Sequence, residues 1–166
     1  MSQPNVNLVQ TPLDGILDKM LFMFMALIFI IPLMYFDELP NEIPIHFNAK
    51  GEVDNYGSRY TLFILPFIQL VTGLLLWWLK KRPQIFNYWV KITDLNAEVQ
   101  YKMAQRFMSI LNLIMAVMFT YIEFMIVKMS IDESSTLKPA YVFFFVALIL
   151  SATIIYVVKS VSQNKT

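Results

Sequence analysis

Ser109, Asn112, Ala116, Thr120 and Glu123 recur at steps of three and four along the third apolar stretch of this chain. That spacing puts all five on one face of an α-helix. Their neighbours are mostly Leu, Ile, Met, Phe and Val, so the stripe must face other protein rather than lipid. A carboxylate inside a membrane span can carry a proton, ligate a cation or pair with a bound one. It is costly to ionise there unless a cation sits beside it. A structural role is the competing reading for Glu123, through a hydrogen bond, an ion pair with Arg59, or reach to the outer interface. Gln69, Thr72 and Gly73, at i, i+3 and i+4, form a matching polar face on the second stretch. Gln69 is placed to bond across to Asn112 or Thr120. Such bonds locate a helix interface without proving a site. Pro32 and Pro66 each remove a helical hydrogen bond if their helices continue, leaving the carbonyls of Ile28 and Leu62 short of a donor. With Glu123 they put broken backbone and a carboxylate at similar depth, as either a cavity for a cation or peptide or two ordinary kinks.

A second group of chemistry-bearing residues lies between the first two stretches. His46 is the only histidine, and Glu52 and Asp54 follow it closely. All three residue types bind zinc, but no H-x-x-x-H or cysteine spacing accompanies them, and a hydrogen bond within a hairpin is the favoured reading. No metal and no cofactor are therefore expected. No nucleophile–base pair and no Gly-rich phosphate loop is present, so catalytic residues are expected to be absent and the protein is read as a non-enzyme. The 11 methionines, Met23 and Met25 among them, are read as apolar filling rather than copper ligands.

The elements that must position these residues are four apolar runs: Met20–Phe36, Tyr60–Leu79, Phe107–Val127 and Tyr141–Val158. At ~1.5 Å per residue each covers about 26–32 Å, enough for the hydrocarbon core of a bilayer. Glu123 then lies about 6 Å inside the outer end of its span. The composition agrees: 57% of the 166 residues are hydrophobic and 15% charged, well away from a soluble domain on both counts. Without cysteine there is no disulfide scaffold or thiol chemistry, and a net charge of +1 with no long basic run argues against nucleic acid. The predicted fold is an all-α, four-transmembrane-helix bundle with a small extracytoplasmic hairpin between helices 1 and 2. The first run is read as an anchor rather than a cleaved signal, because Asp14 and Asp18 precede it and no small-x-small site follows.

Nine cations fall on one side of these spans (Lys19, Lys80, Lys81, Arg82, Lys91, Lys102, Arg106, Lys159 and Lys165) and four on the other (Lys50, Arg59, Lys128 and Lys138). The positive-inside rule places both termini in the cytoplasm, in a bacterial inner membrane. Lys80-Lys81-Arg82, directly after Trp77 and Trp78, reads as the strongest interfacial anchor. The chain divides into a cytoplasmic segment 1–19, a membrane domain 20–128 and a remainder 129–166. The membrane domain holds spans 20–36, 60–79 and 107–127, outer loop 37–59 and cytoplasmic loop 80–106. The remainder holds an outer loop, span 141–158 and a cytoplasmic tail. Alternation of Ile43, Ile45 and Phe47 predicts a short strand, Asn48–Gly51 a turn, and Glu52–Asp54 a returning strand closed by Asn55-Tyr56-Gly57. Thr93 is the predicted N-cap of a helix running into the third span, Pro12–Lys19 a brief interfacial helix, and Ala147 with Ser151 a face for close packing.

The run Leu39-Pro40-Asn41-Glu42-Ile43-Pro44-Ile45-His46-Phe47-Asn48, followed by Gly51-Glu52-Val53-Asp54 and Tyr56-Gly57-Ser58, resembles domain-of-unknown-function family 1648. That domain forms the N-terminal part of SdpI-type immunity proteins. Leu65-Pro66, Phe86-Asn87-Tyr88, Val90-Lys91-Ile92-Thr93, Asn96-Ala97-Glu98 and Gln100-Tyr101 extend the likeness to stand-alone bacterial members, over roughly Thr11 to Val127. The resemblance implies protection against a secreted toxic peptide and signalling of its presence. It also implies a further membrane region, where this chain has one more span. Two functions are expected. The first is sensing of, or immunity to, an extracellular toxic peptide, with His46, Asn48, Glu52, Asp54 and Tyr56 as ligand-binding residues. Glu42 and Phe47 would add charge and apolar contact. The second is proton- or cation-coupled transport through the intramembrane residues Gln69, Asn112, Thr120 and Glu123. The expected partners are the lipid bilayer and either an extracellular peptide or another membrane protein.

Overall fold

The computed structural model describes residues 3–132 and 136–163. Lys165, counted above for orientation, lies outside the described residues. Among the described residues, four helical stretches are long and apolar enough to cross a membrane. They are built on α1 (Pro12–Tyr35), α2 (Ile64–Leu79, with the turn from Arg59 that leads into it), α3 (Ala97–Ile131) and α4 (Pro139–Ser162). A two-stranded antiparallel hairpin, β1 (Glu42–Phe47) and β2 (Val53–Ser58), joins α1 to α2.

Local chemistry explains where these helices start. Thr11 and Asp14 form a capping box with Pro12 in the first turn, so α1 begins at Pro12 and runs unbroken into the first span. The separate interfacial helix predicted for Pro12–Lys19 is therefore the first turns of α1. Thr93 does not cap α3: it takes part in a turn with Asn96, and the helix starts at Ala97. Pro32 lies buried inside α1 and removes the N–H that Ile28 O would accept from. Pro66 differs from its predicted role. A 3-10 turn over Arg59–Phe63 precedes α2, so Pro66 occupies the first turn of the helix, where an N–H has no helical acceptor to lose.

Helices α1, α2 and α3 form the packed unit, and α4 packs chiefly on α3, with Ser160 its one fully buried residue among those described. Ala147 and Ser151 are exposed, so the predicted close-packing face is not used within the chain. Instead α4 turns Phe145, Ile149 and Tyr156 inward, with Tyr156 stacked on Phe107 at 4.6 Å. Below the hairpin a core of Leu39, Ile43, Leu62 and Val127 joins β1, the turn before α2 and the end of α3. This anchoring matters because an isolated two-stranded hairpin is only marginally stable.

The hairpin follows the predicted turn but not the predicted closure. Asn48 O accepts from Gly51 N (2.9 Å), and Asn48 Oδ1 accepts from Lys50 N (2.8 Å) and Glu52 N (3.1 Å). Gly51 has φ +79°, and a Cβ there would fall 2.0 Å from Leu137 O, so the tip is seated on the segment entering α4. Asn55, Tyr56 and Gly57 belong to β2 rather than to a closing turn. A register shift between Pro44 and His46 breaks the simple alternation, leaving Ile43 and Pro44 buried and Ile45 exposed over Gly57.

Candidate functional site

The α3 stripe is the polar spine of the bundle. Ser109, Asn112, Ala116, Thr120 and Glu123 are all buried against α1 and α2, as their spacing requires. Beginning at the end nearest the termini, Asp18 of α1 and Lys80, which caps the end of α2, form an ion pair in which the lysine is buried and the carboxylate partly so. Lys80 Nζ also donates to Ser109 Oγ (3.0 Å), and Trp77 Nε1 donates to Asp18 (3.3 Å). Lys80 is thus no interfacial anchor. Lys81 and Arg82 fill that role, each over a tryptophan ring, Trp77 at 3.3 Å and Trp78 at 3.9 Å. Neither Asp18 nor Lys80 stood out in the sequence, because Lys80 reads as one member of a basic cluster. Only the register of α1 against α2 brings the two together.

One level further in, Asn112 Nδ2 donates to Gly73 O at 2.9 Å. A Cβ at Gly73 would meet Gln69 Nε2 at 3.1 Å and Met25 Sδ at 3.2 Å, so the glycine makes room for these two side chains beside the bond. Thr120 Oγ1 donates to Ala116 O of its own helix (2.8 Å) and lies 3.4 Å from Phe24 O of α1. The predicted bond from Gln69 to Asn112 or Thr120 does not form. The Gln69 side chain, 1% exposed, has neither amide atom hydrogen-bonded among the described residues.

Glu123 completes the spine. It is 0% exposed, and neither carboxyl oxygen has a hydrogen-bond partner among the described residues. Arg59, the partner considered for it, is engaged elsewhere: its guanidinium donates to Leu39 O (3.2 Å) and lies 4.7 Å over the Phe36 ring. Helices α1 and α3 run parallel, with Thr120 level with Phe24. One turn further toward the hairpin puts Glu123 level with Ile28, whose carbonyl Pro32 has deprived of its helical donor.

The hairpin candidates separate into two sets. His46 Nδ1 and Asp54 Oδ1 meet at 2.5 Å, the hairpin bond expected for the histidine. Glu52 turns instead to Asn48, accepting from Nδ2 at 2.8 Å, so the three acidic and imidazole side chains do not converge. Glu42, Glu52, Asp54 and Tyr56 face solvent, Tyr56 with 58% of its surface exposed, while Phe47 is half-buried. Beyond the membrane spans, Tyr88 donates to Pro83 O (2.8 Å) and packs on Tyr101; burial pushes its phenol pKa well up.

Residues 23–70 match the family model described as Domain of unknown function (DUF1648). This stretch is a DUF1648 domain. It runs from the middle of α1 through the hairpin to the middle of α2, so it supplies Ile28, Pro32, the whole hairpin and Gln69. Glu123 comes from α3, outside the DUF1648 segment, on the buried face of a helix that packs against α1 and α2. The block Phe86–Tyr101 that extended the resemblance also lies outside the match. An uncharacterized protein of Archaeoglobus fulgidus is 27% identical over 152 residues, covering 76% of this chain and 83% of its own length. No solved structure matches the chain.

Proposed function

We propose that this multi-pass membrane protein is a non-enzymatic carrier in which Glu123 holds a proton or a small cation within the bundle. The observation behind this reading is a carboxyl with no exposure and no partner among the described residues. An unpaired ionised carboxylate in such a place costs several kcal/mol, so the group is held neutral by a proton or satisfied by a bound cation. Ile28 O, at the level of Glu123 and short of its helical donor, is a neutral oxygen ligand suited to such a cation. The test is proton flux into proteoliposomes loaded with a pH-sensitive dye, under an imposed pH gradient. Wild-type flux with background flux for Glu123→Gln is the expected result. Equal flux for the two proteins overturns the proposal.

A second reading rests on the exposed hairpin. Glu42, Glu52, Asp54, Tyr56 and Ile45 present acid and apolar surface together, a combination suited to a cationic amphipathic peptide. In this reading the protein senses or neutralises a toxic peptide outside a bacterial inner membrane, with both termini in the cytoplasm. Cells expressing the protein would survive such a peptide, and the triple substitution His46→Ala, Glu52→Gln, Asp54→Asn would remove that protection. Unchanged protection by the triple variant eliminates the hairpin from the mechanism. For the orientation, Ser58→Cys would label from outside intact cells, against a chain with no other cysteine.

A further inference from the structure

Helices α1 and α4 both pack on α3 but share no extended interface, which leaves a groove along α3 between them at the end nearest the termini. It has a volume of about 620 Å³. Its lining carries Lys102, Arg106 and Lys159 with one acid, Asp14, and a second acid, Glu98, stands at the rim. Arg106 is held by Asp14 (3.4 Å) and Thr11 (3.0 Å), and Lys102 by Glu98 (2.6 Å) at the exposed rim. Lys159 has no ion pair among the described residues and is exposed beside the groove. Deeper in, the lining turns apolar: Phe107, Ile110 and Ile114 from α3, Leu148 and Ile155 from α4. From Arg106 to Ile114 the groove follows α3 for about 12 Å at ~1.5 Å per residue.

We propose that this groove is a binding site for one anionic phospholipid, with its phosphate at Lys102, Arg106 and Lys159 and an acyl chain along Phe107, Ile110 and Ile114. The charge is placed where a headgroup lies. Arg106 immediately precedes the apolar run of α3, and Lys159 immediately follows that of α4, so all three cations mark the water boundary. An apolar channel capped by cations at that depth complements a lipid of opposite polarity profile. The groove also opens sideways, because the neighbouring residues Ser151 and Ile155 of α4 are exposed, and a lipid can enter from the bilayer without the helices parting. A second copy of this chain would bring its own excess of cations to this end and meet like charge at the mouth.

The full chain, released from nanodiscs of phosphatidylglycerol and phosphatidylcholine with matched acyl chains, tests the site by native mass spectrometry. The wild type is expected to retain one phosphatidylglycerol with roughly tenfold preference over phosphatidylcholine. Lys102→Gln with Lys159→Gln is expected to bring that preference close to one while leaving Arg106 and its bond to Asp14 intact. Ser151→Phe, a change at an exposed position that fills the groove, is expected to lower retention of both lipids. Circular dichroism of each variant confirms the helical fold. Equal retention of the two lipids by the wild type overturns the site. So does a preference that survives both variants, or a dimer that forms in place of the lipid adduct.

Discussion

The two ends of the bundle treat their buried polar groups in opposite ways. Toward the termini those among the described residues are paired: Lys80 with the partly buried Asp18 and with Ser109, Asn112 with Gly73 O, and Gln100 with Ser160 in a two-way clamp (2.9 and 2.7 Å). Beyond them, Gln69 at mid-span and Glu123 nearer the hairpin are as deeply buried and have no bonded partner among the described residues, while Thr120 between them is bonded within its own helix. The difference separates polar groups that hold helices together from polar groups that await something. Inside a bilayer, apolar burial drives helices together only weakly, so hydrogen bonds and close packing carry the association. A paired group earns its place through association, whereas an orphan subtracts from stability and is kept for another reason.

Lys80→Met should break this contrast most severely. It leaves the partly buried Asp18 without its cation, at an expected cost of about 2–3 kcal/mol in unfolding measured in mixed micelles. The double variant with Asp18→Leu should recover most of the loss. Gly51→Ala tests whether the hairpin is seated as firmly as the opposite end is bonded. The left-handed backbone and the approach to Leu137 O should together cost about 1–3 kcal/mol, visible as faster proteolysis of the 42–58 segment. Gln100→Leu removes the clamp on α4 and should cost about 1–3 kcal/mol, loosening α4 without disturbing the other three helices. Gln69→Leu reverses the sign. With no bond to lose, it should leave stability unchanged or raise it by about 1 kcal/mol, in the same micelle assay.

The same contrast sets how much was legible in the sequence. The α3 stripe was readable because helical periodicity alone fixes a face, and all five residues are buried on it. The asparagine turn and the left-handed Gly51 were readable because turn chemistry is local. The Asp18–Lys80 and Gln100–Ser160 pairs were not, since each joins residues roughly 60 positions apart whose meeting depends on how two helices are set against each other. Lys80 was misread for a physical reason: a lysine beside Lys81 and Arg82 has the pattern of an interfacial anchor, and only burial distinguishes it. Gln69 was misread in the opposite direction, since a polar side chain at a helix interface is expected to find a partner. The small residues Ala147 and Ser151 suggested packing, but α4 meets α3 through its aromatic side, and Ser151 lines the groove instead.

The central claim is that Glu123 is retained at a cost to stability. The most direct measurement is the unfolding free energy of Glu123→Leu relative to the wild type, in mixed micelles with no added metal cation. Stability equal to the wild type, or higher by about 1–3 kcal/mol, is the predicted result, because the leucine removes a buried polar group that has no partner to lose. A loss of about 2 kcal/mol or more would contradict the account, since it would show Glu123 to be a bonded structural element like Lys80 at the other end.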